Sequence, residues 1–304
     1  MPVQYQLAGS TAAEISASVE AAVRDGRLAP GAGLPPVRAL AATLGVSPAT
    51  VGAAYRVLRD RGVISTAGRA GTRVRPRPPL RSRPTRPQPA PPGVLDLSTG
   101  GPDPRLLPDL GAALRRLSGD PVAYSGCGPL PELVDLARER LAPVRAPALT
   151  VTGGALDGIE RTLVAHLRPG DRIAVEDPGW ANLLDLIAAL GLVPVGVPVD
   201  DDGPTEAGLR TALEGGVDAF VVTTRAQNPT GAAVTRRRSV ALRRLLRPHP
   251  RVLVIEDDHA AELSPVPPHP ISGATGSWVF IRSVAKPYGP DLRLAVLAGD
   301  EATV

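Results

Sequence analysis

The chain has 304 residues, 43% of them hydrophobic, so it is long enough for two domains and can bury a sizeable core. Its 34 Lys and Arg residues against 30 Asp and Glu residues give a formal charge of +4, which only weakly favours a polyanionic partner. A single cysteine, Cys127, excludes an intrachain disulfide framework or a cysteine zinc cluster, and no secretory signal is present, so we expect a soluble, cytoplasmic protein.

The first 74 residues have the pattern of a small helical domain. Apolar residues recur at helical spacing from Thr11 to Arg27, and a second, short helix is predicted from Val37 to Leu44. After a break at Gly45, Ser47 is a good N-cap and Pro48 a good first residue for a third helix. The apolar positions of this third helix share one face, which we expect to be buried: Val51, Ala54, Tyr55 and Leu58.

The opposite face of the third helix and the segment after it suit DNA. Small or polar residues, Ala49 and Thr50 among them, would let the start of the helix approach a major groove closely. The run 63–74 is typical of two short strands around a glycine turn, with Arg69 and Arg73 available for phosphates. We therefore expect a winged helix-turn-helix; the alternative is a three-helix bundle with a solvated basic edge.

Residues 75–92 separate this domain from the rest of the chain. Eight of these eighteen residues are proline and five are arginine. Such a composition excludes a helix or an interior strand, and the like charges repel each other. We expect an extended polyproline-type linker that could reach roughly 55 Å.

From residue 93 onward, strand-like apolar runs alternate with helical patterns. The predicted strands are Ala148–Thr152, Arg172–Glu176, Ala219–Thr223, Val252–Glu256, Trp278–Ile281 and Leu292–Ala298. This alternation predicts an α/β domain with a mainly parallel sheet and helices on both faces. Ligands of such sheets bind at the carboxyl ends of the strands, so we expect a site among the residues that follow them.

Three of these strand ends carry residues that suit a phosphorylated aromatic ligand. Gly154 and Ala155 begin a helix whose free backbone amides could bind a phosphate, although a simple tight turn is as common. Trp180 could stack on an aromatic ring, although a core tryptophan is the usual case. Asn228 offers its amide from a turn beside Pro229.

The last two strand ends carry the charged candidates. Asp257 could hold a cationic ring nitrogen, or it could be a solvated turn or a helix cap. Lys286 is the one lysine of the sequence, and arginine cannot replace it as an amine nucleophile; the alternative is a chance survivor on the surface. Ser283 and Arg293 flank Lys286 and could bind a phosphate together with the amides near Gly154.

The N-terminal motifs resemble a known family. The segments Gly33-Leu34-Pro35-Pro36-Val37-Arg38 and Leu44-Gly45-Val46-Ser47-Pro48-Ala49-Thr50, followed by the glycine turn, resemble the DNA-binding domain of GntR-type regulators over about residues 10–75. The resemblance implies DNA contacts from Arg38, Thr50, Arg69 and Thr72, in addition to the candidates Ser47, Ala49 and Arg73. The third helix lacks the Arg or Asn that often stands near its start in that family, which leaves the base preference open.

From about residue 95 the chain resembles fold-type I, class I/II aminotransferases. The resemblance implies that pyridoxal 5'-phosphate binds as an aldimine of Lys286, with Asp257 at the ring nitrogen and Asn228 at the phenolic oxygen. Trp180 would stack on the ring, and His259 stands where the family usually has a tyrosine. The phosphate would be bound by Gly154, Ala155, Ser283 and Arg293, with Tyr124 reaching the phosphate of a partner subunit.

Joined through the linker, the two parts resemble the MocR/PdxR-type regulators. The resemblance implies a homodimeric transcription regulator in which the cofactor, or its adduct with a small amine or amino-acid effector, changes how the protein grips operator DNA. The alternative is a working aminotransferase with an accessory DNA-binding domain. The predicted domains are residues 1–74, 75–92 and 93–304. Because the chain stops at Val304, we expect the small C-terminal domain of the family to be missing and turnover to suffer.

Overall fold

A computed structural model describes residues 7–60, 62–66, 71–75, 91, 93–94, 100–116, 123 and 128–304. The chain folds into two compact units, drawn mainly from residues 1–83 and 84–304, which we call the head and the body. Arg69, Tyr124 and nearly all of the predicted linker lie outside the described residues.

The described part of the head contains three helices and three short strands. The helices are α1 Ala12–Arg24, α2 Val37–Leu44 and α3 Pro48–Asp60, and the strands are β1 Gly33–Leu34, β2 Ile64–Thr66 and β3 Thr72–Val74. Strand β3 pairs antiparallel with both β1 and β2. The predicted helix-turn-helix and its strand pair are confirmed, whereas the two-residue strand β1 is too short to leave a periodic signal.

Helices α1 and α2 begin and end at residues with clear conformational reasons. The side chain of Thr11 accepts a hydrogen bond from Glu14 N, and the Glu14 side chain accepts one from Thr11 N, so α1 begins with a capping box. The helix ends at Arg24, earlier than predicted, because Gly26 has a φ of 74°. Gly45, with a φ of 67°, ends α2 and turns the chain toward α3.

The predicted inward face of α3 lies in the core of the head. Val51, Ala54 and Leu58 have no exposed surface, and the Tyr55 hydroxyl donates to Pro35 O at 2.8 Å. In the part of the chain that the structure describes, no single helix is long and apolar enough to cross a membrane. Helices α2 and α3 reach that length only when taken together, and they bend by 118° at the break between them.

The described part of the body is an α/β unit built on one eight-stranded sheet. Its strands are β4 Ala148–Thr152, β5 Arg172–Asp177, β6 Val193–Asp200, β7 Gly203–Pro204, β8 Ala219–Thr223, β9 Leu253–Asp258, β10 Trp278–Ser283 and β11 Ala295–Gly299. Its helices are α4 Leu110–Leu114, α5 Pro131–Arg140, α6 Ala155–His166, α7 Ala181–Ala189, α8 Glu206–Glu214, α9 Arg236–Leu246 and α10 Ala285–Tyr288.

The strand order of the sheet is β4-β11-β10-β9-β8-β5-β6-β7. Five neighbouring strands, from β10 to β6, pair in parallel. Strand β11 runs antiparallel to both of its neighbours, and β7 runs antiparallel to β6. The prediction of a mainly parallel α/β sheet is confirmed.

Two features of the sheet differ from the prediction. Strand β6 was not predicted because it contains Pro194 and Pro198. Val193 N donates to Asp171 O, next to β5, and backbone N–H groups alternate between the two sides of a strand. The nitrogens of both prolines therefore face away from β5, where a missing N–H is tolerated. Strand β11 begins at Ala295 rather than Leu292 because Arg293 has a φ of 45° and breaks the extended backbone.

Candidate functional site

The carboxyl ends of the parallel strands surround a cavity of about 720 Å³. Five of the residues predicted from the sequence line it together: Trp180, Asn228, Asp257, His259 and Lys286. They come from the segments at the ends of β5, β8, β9 and β10. Convergence of neighbouring parallel strands at one edge therefore brings together residues as far apart in the sequence as Trp180 and Lys286.

Asp257 has a buried oxygen without a partner. Its residue surface is 4% exposed, and its Oδ2 lies 3.5 Å from Nδ1 of His259. Its Oδ1 has no hydrogen-bond partner among the described residues. A buried carboxylate oxygen left in this way is costly, and a ligand that donates from a cationic ring nitrogen would satisfy it.

Lys286 extends its amine into the cavity from the short helix α10. The side chain is half-buried, and Nζ donates to Gly100 O at 2.7 Å. Gly100, which also lines the cavity, has a φ of 58°, and a Cβ there would stand 3.7 Å from Nζ. Lys286 is thus not a solvated surface side chain: its amine lies beside the cavity, within reach of a carbonyl compound bound there.

The four predicted phosphate ligands lie together, beside the cavity rather than in its lining. Residues Thr152, Ala295 and Ser283 are register partners across three neighbouring strands, so the turns around Gly154 and Arg293 meet at one edge. The Arg293 guanidinium lies so close to Gly154 that a Cβ there would stand 3.2 Å from Nη2. Gly154 also has a φ of 116°, so only glycine suits this position.

Some details of this phosphate region differ from the sequence prediction. Arg293 precedes its strand instead of following one; it reaches the same edge because β11 is antiparallel. The backbone N–H of Gly153 donates to Asp157 Oδ2 at 2.8 Å, so one of the expected free amides is bound within the chain. The Ser283 hydroxyl accepts from Ala285 N at 3.2 Å, just before Lys286.

Two buried polar residues were not singled out from the sequence: Gln227, which lines the cavity, and Glu176, which lies behind it. Glu176 accepts from Thr223 N at 3.1 Å and from Thr223 Oγ1 at 2.7 Å. Gln227 donates from Nε2 to Pro178 O at 2.8 Å, with Glu176 Oε2 a further 3.4 Å contact. Burial raises the pKa of Glu176 to about 7, and the charge of Asp257 adds to the effect. The one available signal was the position of Glu176 at the end of an apolar strand; Gln227, four residues after β8, had no such signal.

Asp258 lies next to Asp257 in the chain but is saturated by arginines. Arg225 donates from Nε to Oδ1 at 2.9 Å and from Nη2 to Oδ2 at 2.8 Å, and Arg282 Nε donates to Oδ2 at 2.7 Å. All three side chains are buried. This cluster is not part of the cavity lining, so the pair of aspartates divides into one acid facing the cavity and one held within the protein.

In the head, the described DNA-binding candidates occupy exposed or half-exposed positions: Arg38, Ser47, Ala49, Thr50, Thr72 and Arg73. Ser47 caps α3, because its Oγ accepts from Thr50 N at 3.1 Å and also lies 2.9 Å from Thr50 Oγ1. Arg73 donates to Gly31 O at 3.0 Å from strand β3. The start of α3 is therefore rigidly capped and presents small residues outward.

Two family models match the chain. Residues 11–74 match the model of bacterial regulatory proteins of the gntR family, and residues 92–304 match that of aminotransferases of class I and II. The two matches together cover nearly all of the head and the body.

Two curated transcription regulators align with most of the chain, across both the head and the body. The vitamin B6 salvage pathway transcriptional repressor PtsJ of Salmonella typhimurium is 42% identical over 300 residues, which are 97% of this chain and 69% of that protein. The pyridoxine biosynthesis transcriptional regulator PdxR of Corynebacterium glutamicum is 32% identical over 271 residues, 84% of this chain and 58% of that protein.

Solved structures share the fold of the body. The kynurenine aminotransferase of Pyrococcus horikoshii superposes with a TM-score of 0.56 at 21% identity, over 67% of this chain and 55% of that one. Substrate-bound BacF of Bacillus subtilis gives a TM-score of 0.57 at 21% identity, over 68% and 56%. The chain thus spans between just over half and about two thirds of the length of these four proteins.

Proposed function

Because the chain belongs to the gntR-family regulatory proteins that carry an aminotransferase class I and II region, we propose that it is a DNA-binding transcription regulator whose body binds pyridoxal 5'-phosphate through Lys286. The observation that carries the proposal is the unpartnered, buried Oδ1 of Asp257 in the same cavity as the one lysine of the sequence. A protonated pyridine nitrogen and an aldehyde on one ring would satisfy both groups at once.

The remaining cavity residues would each hold one part of that cofactor. Its aldehyde supplies the carbonyl that reacts with an amine, and its ring withdraws electrons. Trp180 would stack on the ring, while Asn228 and His259 would face its phenolic oxygen. The phosphate would be bound beside the cavity by Gly154, Ala155, Ser283 and Arg293, and Tyr124 of a second copy would complete the site if the protein is a homodimer.

The names of the curated relatives support vitamin B6 as the signal. Both relatives are named as regulators of vitamin B6 salvage or pyridoxine biosynthesis. We propose that the cofactor itself, or its adduct with a small amine or amino acid, sets the affinity of the head for operator DNA in the cytoplasm. Arg38, Thr50 and Arg73 would contact the DNA from a domain spanning residues 1–74, joined by residues 75–92 to a body of residues 93–304.

Titration of the full chain with pyridoxal 5'-phosphate tests this proposal. We expect an absorbance band near the edge of the visible range and a change in affinity for duplex DNA from upstream of its own gene. Lys286→Ala should abolish both effects. Lys286→Arg is the matched variant, because it keeps the positive charge and can still donate to Gly100 O but cannot form the covalent bond. A band that persists in either variant would refute the assignment of Lys286.

The second candidate function, an aminotransferase with an accessory DNA-binding head, rests on the same unpartnered oxygen of Asp257 and the same lysine. It predicts many turnovers with an amino acid and a keto acid. Turnover without any cofactor-dependent change in DNA affinity would favour this function over the regulator.

A further inference from the structure

The side chain of Gln227 joins the two loops that carry Trp180 and Asn228. Its Nε2 donates to Pro178 O at 2.8 Å, two residues before Trp180. Its Oε1 accepts from Thr230 N at 3.0 Å and from Thr230 Oγ1 at 2.6 Å, two residues after Asn228. The two loops follow β5 and β8, which are neighbours in the sheet, and one amide group bridges them.

The orientation of this amide follows from its partners. Pro178 O can only accept, so Nε2 must face it, and Thr230 N can only donate, so Oε1 must face that side. The backbone of Gln227 is held as well, because its N–H donates to Ala232 O at 2.9 Å and its carbonyl accepts from Gly231 N at 2.6 Å. With 2% of its surface exposed, Gln227 has no other arrangement that satisfies these groups.

Glu176 supports the amide from behind. It is 6% exposed, its two oxygens accept from Thr223, and Oε2 lies 3.4 Å from Nε2 of Gln227. Thr223, Gln227 and Asn228 all line the cavity. The network therefore runs without interruption from the core of the sheet to the walls of the cavity.

We infer that Gln227 is a positioning residue that sets the separation between the indole of Trp180 and the amide of Asn228, and so the width of the slot for the cofactor ring. The inference rests on the proposed function, and it adds a residue that does not touch the reacting atoms. Side chains on separate loops hold a fixed spacing only when a rigid group links those loops, and here that group is the Gln227 amide.

Two substitutions separate the two ends of the bridge. Gln227→Glu keeps the oxygen that Thr230 binds but replaces the donor to Pro178 O by a second oxygen, which also faces Glu176 Oε2, so the Trp180 side is released while the Thr230 side is kept. Thr230→Val removes the hydroxyl donor to Oε1 and loosens only the Asn228 side. The matched control is Ser239→Ala, which removes another buried donor to a proline carbonyl, Pro270 O at 2.8 Å, away from the cavity.

The first measurement needs no cofactor. The sequence has two tryptophans, so Trp278→Phe leaves Trp180 as the single tryptophan, and excitation selective for indole separates its emission from that of the tyrosines. In this background we expect Gln227→Glu to shift the Trp180 emission and to increase its quenching by acrylamide, whereas Thr230→Val and Ser239→Ala leave both unchanged. Acidification should return the Gln227→Glu emission toward that of the parent at the same pH, because a protonated carboxyl group can again donate to Pro178 O.

The second measurement adds pyridoxal 5'-phosphate. Gln227→Glu should weaken binding about tenfold and reduce quenching of Trp180 by the bound chromophore, in line with the loss of one buried hydrogen bond. Thr230→Val should instead shift the pH dependence of the visible-edge band, which reports on the phenolic oxygen near Asn228, and leave the quenching intact. A purely structural role would not produce this crossed pattern.

The outcomes distinguish this inference from the proposed function. If neither variant differs from Ser239→Ala in Trp180 emission, the positioning role is refuted whether or not cofactor binds. If the parent chain forms no visible-edge band, the proposed function is refuted, while the emission measurement still decides the role of Gln227. If both variants lose emission, binding and band together, Gln227 is a general stability residue and the inference is wrong.

Discussion

The two neighbouring acids at the carboxyl end of β9, Asp257 and Asp258, lie in opposite environments. Asp258 is bound by two buried arginines, whereas Asp257 leaves one buried oxygen without a partner among the described residues. Side chains alternate along a strand, so adjacent residues in the chain face different surroundings. The comparison shows that burial alone does not distinguish an acid that can bind a ligand. The distinguishing feature of Asp257 is burial without an arginine partner among the described residues.

The Asp258 cluster also ties separate segments of the body together. Arg225 donates from Nη1 to Val266 O at 2.9 Å, and Arg282 donates to Arg140 O. Val266 lines the cavity that Asp257 also lines. The Asp258 cluster therefore holds part of the cavity wall in place through Arg225. The structural acid and the cavity acid therefore serve one site by different means.

The largest effect is expected from Asp258→Asn. This change leaves two buried guanidinium groups without the carboxylate they share, and breaking such a buried network costs about 3–5 kcal/mol of unfolding free energy. Urea denaturation followed by tryptophan fluorescence reports on the body alone, because Trp180 and Trp278 both lie there.

A suitable control for this substitution is Asp200→Asn. Arg238 Nη2 pairs with Asp200 at 2.8 Å, but the aspartate side chain is 48% exposed, and Arg238 also donates to two carbonyl groups. We expect a loss of about 1 kcal/mol or less there. Equal losses in the two variants would show that the Asp258 cluster is no stronger than a surface ion pair.

The cavity could be predicted from the sequence to the extent that it depends on strand ends. Trp180, Asn228, Asp257 and Lys286 each follow or end an apolar run, and the geometry of parallel sheets brings such positions together. The different environments of Asp257 and Asp258 could not be predicted, because Arg225 follows β8, Arg282 lies in β10, and nothing local indicates which acid they bind.

Contacts between segments that are distant in the sequence also explain why Gln227 and Glu176 were not predicted as part of the site. Gln227 and Glu176 are separated by 51 positions and meet only because β5 and β8 are neighbours in the sheet. Sequence periodicity reports which side of a strand is buried, but it does not report which polar groups from different strands share that side. Local patterns were sufficient in the head, where the capped helices and the strand pair follow from adjacent residues.

The pH dependence of stability provides the next test, because Glu176 and Glu256 are buried acids that accept hydrogen bonds but form no ion pair among the described residues. Burial raises the pKa of Glu256 to about 7, and burial likewise raises the pKa of Glu176 to about 7, from 4.5 in each case. Such a group binds its proton more tightly when folded. The stability that such a group contributes is therefore fully present below pH 4.5 and is lost as the pH rises through 7.

Each of these two groups should lower the unfolding free energy by about 3 kcal/mol between acid and mildly alkaline pH. We expect urea midpoints of the body to fall as the pH is raised from about 5 to about 8. Glu176→Gln should remove roughly half of that decline, since Glu256 continues to titrate. Urea midpoints that rise with pH over this range would contradict the raised pKa values of Glu176 and Glu256.

The smallest effect on stability is expected from Asp257→Asn, and it completes the comparison with Asp258→Asn. Asp257 makes no ion pair with an arginine among the described residues, so loss of its charge should change the unfolding free energy by about 1 kcal/mol or less. It should also lower the pKa of Glu176, because the repulsion between the two acids disappears.

Binding of pyridoxal 5'-phosphate to Asp257→Asn should nevertheless weaken by about 10- to 100-fold, the range expected when a charge-assisted hydrogen bond is lost. The two substitutions, one residue apart, would then have different effects: Asp258→Asn destabilises the body, whereas Asp257→Asn weakens cofactor binding and leaves the fold intact. Spectroscopic titration of both variants at the same pH measures this directly. Unchanged affinity in Asp257→Asn would mean that the unpartnered oxygen does not face the bound ring.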